Sequence, residues 1–595
     1  MTTAAAAFLG VERSVSGRRW VARPGDPPQA AAHAQRLGLP EAVARILVAR
    51  GVDSDLAERY LEPRLRDWLP DPSRLRDMEP AAERLAQAIL KGEGIGILGD
   101  YDVDGATSTA VLTRFLRAMG CEPLIHIPDR QREGYGPNGP AMESLRARGA
   151  RVVITVDCGT LAYAALDVAQ GLGLDVLVVD HHLAEPALPA ALAVVNPNRL
   201  DESGEFGMLA AVGCAFLLVV ATTRALRQTG AFATRPEPAL LDLLDLVALG
   251  TVCDVVPMTG VNRALVGQGL RVLGRRGNVG LCALADAAGM TARPMAYHLG
   301  YILGPRVNAG GRVGKSDLGA RLLSTDDPAE AAAIAEQLCH LNRERQAIEA
   351  EVEAQALGAV AGLDDAVAVI AGQAWHPGVI GIVAGRLKDK LRRPVIVIGL
   401  DGKSGKGSGR SIAGVDLGAA VVAAHQSGLL LAGGGHAMAA GLSIAAEQVG
   451  PFRAFMNDRL GPAVSAQADR EALGIDAAVA VGGATLELAE LMERAGPYGP
   501  GNPKPRLALS DARVIWRDVV GEKHVRTEFA AADGARLKAI AFRAVDTPLG
   551  EALLKSNGAP MHVAGELSVD EWRGERRAQF SIDDVAPVGL SQPRA

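Results

Sequence analysis

"GIGILGDYDVDGATSTAVLTRFLRAMG", residues 94–120, decides the fold. An apolar run, GIGIL, stops at an acid, and a helical stretch, TSTAVLTRFLRAMG, follows within a few residues. The same grammar recurs downstream in EPLIHIPD (122–129), RVVITVD (151–157), LDVLVVD (174–180) and LAVVN (192–196), with helical stretches such as LAYAALDVAQGLG between them. Continuous β-branched runs alternating with helices predict a parallel sheet covered on both faces. In such a sheet, ligands bind beyond the carboxyl ends of the strands.

Those ends are acidic. Asp100, Asp102 and Asp104 occupy alternate positions, Asp157 ends a second run, and Asp180 ends a third and leads into His181 and His182. Asp254, in LGTVCDVVP, follows another apolar stretch. Carboxylates this close repel one another unless a cation or a proton intervenes. A single Asp after a strand is ordinarily a turn residue or a helix cap. Several from separate segments, arriving with imidazoles at one edge, instead suit Mn²⁺ or Mg²⁺. Two such ions can share a carboxylate, activate a water and stabilise phosphoryl oxygens. A calcium-binding EF-hand loop is excluded, because its twelfth position, counted from Asp100, is Val111 rather than glutamate.

The chain is too long, at 595 residues, for one core. We expect an N-terminal helical and irregular segment over 1–90 and a catalytic domain over 91–260. A helical region with a long connecting helix follows over 261–362. A second α/β domain over 363–465 and a β-barrel over 470–590 complete the chain. The second α/β unit is read from DAVAVIAG, GVIGIVAGRLKDKL and RRPVIVIGL, and the long helix from residues 326–357. Six scattered cysteines without a CxxC pair argue for reduced thiols in the cytoplasm and against a zinc ribbon. No apolar run is read as long enough to span a bilayer, and the alanine-rich N-terminus is read as lacking the basic leader of a signal peptide. The net charge of −6 counts against a uniformly basic nucleic-acid binder, but not against local basic patches.

DYDVDG, TVDCG (155–159), DHH (180–182) and GTVCD (250–254) resemble the four motifs of the DHH phosphoesterase superfamily. GPRVNAGGR (304–312), WHPGVIGIVAGRL (375–387), GSGRS (407–411), GGGHAMAAG (433–441) and YGPGNPKP (498–505) extend the resemblance to the RecJ family of single-strand-specific 5′→3′ exonucleases. The resemblance runs from about residue 30 to the end. It implies two α/β domains, a DHH catalytic domain and a DHH-associated domain, joined by a long helix, plus a C-terminal OB-like barrel. It implies two-metal hydrolysis of single-stranded DNA from the 5′ end, releasing mononucleotides in recombination and repair. Asp102 and Asp104 would bind the two ions, Asp157 would bridge them, and His181 and Asp254 would complete the coordination. Whether Asp100 and His182 touch metal directly is left open by the motifs. A single-strand-binding protein, a RecQ-type helicase and a monomeric state are also expected.

A 5′ end needs fixed donors for its phosphate. Arg130, Arg312, Ser408 and Arg410 are the candidates, with Arg306 and Arg132 as alternatives. Three of the four are read as lying in glycine-rich loops, where backbone approaches phosphate closely. Gly434, Gly435 and His436 are read as a further substrate contact, and Tyr135 as a base-stacking or packing residue. Cys158 and Cys253 are read as buried packing residues. On the barrel, Lys523, Arg526, Arg536, Lys538, Arg573, Arg576 and Arg577 form a candidate basic groove, with Trp516, Phe529, Phe542 and Trp572 as candidate platforms. The rival readings are a small-substrate phosphodiesterase or pyrophosphatase, which would leave the barrel without a task, and a non-catalytic scaffold, which would not need every acid and both histidines.

Overall fold

The computed structural model describes residues 6–129, 133–360, 362, 364–468, 472–572 and 575–588. The five expected strands of the first α/β unit form one all-parallel sheet. Its order is Leu124–His126, Gly94–Gly99, Ala150–Val156, Asp175–Val179, Ala193–Val195. Alternate residues of each strand enter different cores. Ile95, Ile97, Val152 and Ile154 join the larger cluster, while Leu98, Val153, Val176 and Val178 join a smaller one on the opposite face. This two-sided burial is why the strands read as unbroken apolar runs.

The helix Val103–Ala118 follows the first strand and is buried along most of its length. Its tight start explains the DG in DYDVDG. A Cβ at Gly105 would lie 2.5 Å from the Asp100 carbonyl oxygen, so only glycine lets the helix tuck under the acidic turn. The expectation that no apolar run is long enough to span a bilayer is corrected: the helix Ala211–Gln228 is long and apolar enough, by length and composition, yet 72% of it is buried within the protein, as befits a core helix.

The long helix spans Pro328–Val360, 33 residues and about 50 Å. Its first half, including Ile334 and Leu338, joins the catalytic core. Its second half, Val352 to Val360, joins the core of the second α/β unit. Buried Glu349 receives Arg345 from the same helix at 2.5 Å and Arg386 from Pro377–Leu391 at 2.6 Å, locking the two helices together. The second sheet is mixed. Ala368–Gln373 and Val395–Asp401 are parallel, and Ser404–Arg410, Ala439–Ala445 and Ala432–His436 continue antiparallel.

Leu507–Val520, His524–Ala530, Arg536–Ala541, Glu575–Pro587 and Pro560–Trp572 close on themselves, since the last pairs with the first. This is the expected barrel. Phe529 is not a platform: it is fully buried in the barrel core, because its strand alternates and its register faces inward. Trp516 and Phe542 are exposed, with Arg526 over the Trp516 ring and His524 edge-on to Phe542. The Trp572 side chain and Arg573 lie outside the described residues. Four of the basic residues meet acids of the same chain: Arg526 with Asp518, Arg536 with Glu528, Arg576 with Glu490 and Arg577 with Asp570.

The first 90 residues divide among three hydrophobic clusters. Val43, Ile46 and Leu47 pack into the barrel core, whereas Met78–Lys91 packs into the catalytic core. Trp20, fully buried, donates through Nε1 to the barrel's Asp584 at 3.2 Å.

Candidate active site

Asp102 caps the helix Val103–Ala118, its Oδ1 accepting from the backbone N–H groups of Asp104 and Gly105 at 2.9 and 3.1 Å. Asp104 points the other way. It is buried, and its carboxylate accepts from Ala211 N at 2.7 Å and Val212 N at 3.0 Å, at the open N-terminus of the helix Ala211–Gln228. Asp157 has a left-handed backbone, φ 60°, a strained conformation for a non-glycine residue. Asp254 arrives differently from the sequence pattern of acids behind strands: it sits at the C-terminus of the helix Leu244–Cys253. There the helix dipole disfavours a carboxylate, and a proton or a nearby cation relieves the cost.

His181 joins these groups. Its Nε2 lies 3.4 Å from Asp157 Oδ1, 3.4 Å from Asp254 Oδ2 and 3.8 Å from Asp104 Oδ2. Two donors about 2.1 Å from a common cation are roughly 3.0–3.5 Å apart, so this spacing is that of ligands sharing an ion. His181 Nε2, Asp157 Oδ1 and Asp254 Oδ2 are all buried without a hydrogen-bond partner among the described residues. Buried polar atoms left this way are costly, and divalent cations are the partners this donor set fits. Asp100, Asp102 and Asp157 form a second group of converging donor atoms, and Asp157, His181 and His182 a third. The seven sequence-predicted residues therefore meet at one place.

Burial, then the charges of Asp254 and Asp102, pushes the Asp104 carboxyl well above its usual range. Burial, then Asp102 and Asp104, does the same to Asp157. Burial and Asp102 raise Asp254 to about 7. Burial, then His182, lowers His181 to about 4, leaving a neutral imidazole with a free lone pair at neutral pH. The cluster carries excess negative potential that protons or cations must neutralise.

The role of Asp180 is not readable in the sequence motif. Although burial opposes its charge, the hydrogen bond from His182 keeps its carboxyl well below the usual range. Its Oδ1 accepts from His181 N at 2.7 Å, His182 N at 3.2 Å and His182 Nδ1 at 2.8 Å, and its Oδ2 from Thr160 N at 3.1 Å. Burial works against the His182 imidazolium, but the Asp180 hydrogen bond and charge overcome it and raise its pKa. Asn196 and Asn198 brace the same turn, donating to the carbonyls of His182 and His181. Tyr135 donates to the Asp157 carbonyl at 2.9 Å and stands edge-on to His182. Cys158 is buried, and Cys253 Sγ donates to the Leu299 carbonyl at 3.4 Å; burial raises both thiols, as suits packing residues.

A cavity of about 260 Å³ opens over this cluster, lined in part by Asp100, Asp157, His182, Asn308, Gly311 and Arg312. Asn308 was not anticipated. Gly311 and Arg312 also line a second cavity of about 590 Å³ in the second α/β unit, so the two adjoin. Arg312 donates to the Gly378 carbonyl at 2.9 Å, tying one unit to the other. Ser408, Arg410 and Gly434 line the second cavity, and Arg410 Nη1 donates to Ser408 Oγ at 3.1 Å.

The expectation of glycine-rich loops is corrected. Ser408 and Arg410 lie on the strand Ser404–Arg410 and Arg312 on the helix Gly304–Val313. The glycines serve close packing: a Cβ at Gly407 would lie 2.7 Å from Leu442 and one at Gly409 2.6 Å from Leu417. Gly434 and Gly441 pair across neighbouring strands, and a Cβ at either meets nothing within 4 Å. They leave a bare backbone floor beside Ser408, which pairs with Gly441. Gly435 and His436 are exposed at the hairpin end and do not line this cavity. Arg306 donates to the Ile302 carbonyl and lines neither cavity. Arg130 and Arg132 lie outside the described residues.

Residues 94–251 match the DHH family N-terminal domain, 364–461 the DHHA1 domain and 475–584 the RecJ OB domain. The single-stranded-DNA-specific exonuclease RecJ of Escherichia coli (strain K12) is 37% identical over 570 residues, 92% of this chain and 96% of that protein. The chain belongs to the RecJ family. RecJ of Bacillus subtilis (strain 168) is 34% identical over 581 residues, 96% of this chain and 71% of its own length. The crystal structure of RecJ in complex with Mn²⁺ from Thermus thermophilus matches with a TM-score of 0.76 at 30% identity, covering 97% of this chain and 79% of that one. A Mg²⁺ complex from the same organism matches at 28% identity and a TM-score of 0.71, covering 97% and 78%. RecJ structures thus hold both metals that the donor set here fits.

Proposed function

We propose that the chain is a single-stranded-DNA-specific exonuclease that hydrolyses phosphodiester bonds from the 5′ end with two divalent cations, Mn²⁺ or Mg²⁺. The observation that carries the reading is the meeting of Asp104, Asp157, Asp254 and His181, with donor atoms 3.4–3.8 Å from His181 Nε2, beside a second cavity lined by Arg312, Ser408 and Arg410.

When bound, the cations lower the pKa of a water and neutralise phosphoryl oxygens. Asp102, Asp104, Asp157, His181 and Asp254 would hold them, each through a carboxylate oxygen or an imidazole nitrogen that faces the cluster. Asp180 fixes His182 through Nδ1, so that its remaining ring nitrogen is available to present a proton to the scissile phosphate. Arg312, Ser408 and Arg410 hold the terminal 5′ phosphate over the floor formed by Gly434 and Gly441. The N-terminal turn of Pro377–Leu391, which also lines the cavity, adds a favourable dipole for an anion.

Specificity for one strand follows from size. A duplex is about 20 Å across by the geometry of its grooves, and a 590 Å³ cavity bridged by Arg312 suits a single end. The six cysteines are free thiols, which supports a cytoplasmic setting. A monomer acting with a single-strand-binding protein and a RecQ-type helicase, in recombination and repair, completes the proposal on the strength of the family resemblance.

The test uses single-stranded DNA labelled at its 3′ end and carrying a 5′ phosphate, with Mn²⁺. A ladder shortening from the 5′ end, absent with Asp157→Ala and on a blunt duplex, is expected. Digestion from the 3′ end, or equal digestion of the duplex, would refute the reading.

A further inference from the structure

Tyr297 and Tyr301 stack on one another at the surface, ring centroids 5.1 Å apart with planes 24° from parallel. They are 61% and 73% exposed. The chain has only seven tyrosines, and exposing two as a stacked pair needs a reason. They belong to the turn that ends in His298–Leu303, a single π-helical stretch continuous with the helix Gly304–Val313. Wide turns of this kind re-aim side chains and recur at functional sites.

The turn is anchored to the metal centre. The Leu299 carbonyl accepts from Cys253 Sγ at 3.4 Å, and Cys253 directly precedes Asp254. Gly304 lies so close that a Cβ there would be 2.3 Å from the same sulfur. The rings are therefore held at a fixed offset from the catalytic acids.

The order of features along this helix is informative. Arg312, near its C-terminus, lines both cavities, and Asn308 and Gly311 line the metal cavity. Tyr301 lies seven residues before Asn308, about 10 Å along the axis. At the 3.4 Å spacing of a stacked strand, that is about three nucleotides. A strand whose 5′ phosphate sits at Arg312 and Arg410 and crosses the metals at Asn308 then passes the tyrosines on its 3′ side.

We propose that Tyr297 and Tyr301 form a nucleobase-stacking platform for the substrate strand, about three nucleotides to the 3′ side of the metal centre. The direction rests on the end-cavity reading above; the platform itself rests on the paired rings and their anchorage. Stacking tolerates any base, which suits an enzyme that must advance through all sequences.

The test places the fluorescent base 2-aminopurine at successive positions of a 5′-phosphorylated strand, bound to the full-length protein with Ca²⁺ replacing Mn²⁺ so that the strand stays intact. Quenching confined to about the third to fifth nucleotide, lost in Tyr301→Ala and kept in Tyr301→Trp, is expected. An abasic site at the quenched position should weaken wild-type binding about tenfold and add nothing to the loss in Tyr301→Ala. Equal abasic costs in both proteins, or quenching indifferent to Tyr301, would overturn the platform and leave these rings to a protein partner. Quenching that depends on Tyr301 but has no fixed position would keep the platform and refute the end cavity.

Discussion

Replacing Asp180 with asparagine tests whether the histidine pair is preorganised by a group that never needs to touch metal. Four donors converge on this carboxylate: the N–H groups of Thr160, His181 and His182, and Nδ1 of His182. Asparagine has the same shape but only one acceptor oxygen. If that oxygen takes the place of Oδ1, the new amide N–H₂ faces the Thr160 N–H, donor against donor, in a buried site. An orphaned buried donor costs about 1–3 kcal/mol. His182 also loses the charge that supports its imidazolium, and His181 is presented on a looser turn. Partners that orient metal ligands typically account for 10–100-fold in metal affinity, which is about 1.4–2.8 kcal/mol. We therefore expect Asp180→Asn to melt lower without metal and to bind Mn²⁺ about 10–100-fold more weakly, measured by calorimetry. His182→Ala should cost less Mn²⁺ affinity, because it leaves the backbone bonds from residues 160 and 181 in place. Unchanged Mn²⁺ affinity in Asp180→Asn would refute the reasoning, as would an effect fully reproduced by His182→Ala.

Two further outcomes follow from the site and the cavity. Asp254 has a folded pKa of about 7, and Asp104 and Asp157 are raised as well. The metal-free folded protein therefore holds protons that the unfolded chain releases near pH 4. The stability contributed by this protonation is complete below that point and is lost as pH rises through about 7. With EDTA, the melting temperature should accordingly fall between pH 5 and 8. With saturating Mn²⁺ that fall should disappear, and Mn²⁺ affinity should rise with pH as protons cease to compete; a pH-independent affinity would contradict the assignment. Separately, Gly441→Leu places a side chain into the end cavity without meeting a neighbour at Cβ. It should leave the melting curve nearly unchanged and weaken binding of a 5′-phosphorylated strand about tenfold or more, and intact binding would show that the strand ends elsewhere.

What was legible in the sequence was what local rules encode. Each parallel strand is buried on both faces, so it reads as an unbroken apolar run, and the acid after it is placed by chain direction alone. That is why Asp100, Asp157 and the DHH turn could be assembled from a linear string. Asp254 was legible as a member of the acidic cluster but not as the end of a helix, because LVALGTVC is apolar on every side and buried helices carry no period to separate them from buried strands. Ser408 and Arg410 were legible as candidates, but the glycines around them suggested loops. Those glycines lie on a strand, where the packed side chains of Leu442 and Leu417 forbid anything larger.

YGPGNPKP matches the family pattern, but its structural task lies in partners hundreds of residues away. Asn502 donates to the carbonyls of Ala495 and Pro497, which folds the loop on itself, and its Oδ1 accepts from Arg50 Nε at 2.8 Å and the Tyr60 hydroxyl at 2.9 Å. Arg263, buried in the catalytic half, lies 3.5 Å over the Tyr60 ring and donates to the carbonyls of Ala495 and Gly496. The Pro500 carbonyl accepts from Met258 N at 2.6 Å, four residues beyond Asp254. Asn262 then bridges the carbonyls of Pro257 and Met208, the second of which lies three residues before the N–H that holds Asp104. The barrel is thus not a tethered accessory. Its root is connected, through one polar network, with the backbone that positions Asp104 and with the segment just beyond Asp254, so the barrel and the acidic cluster share a common support.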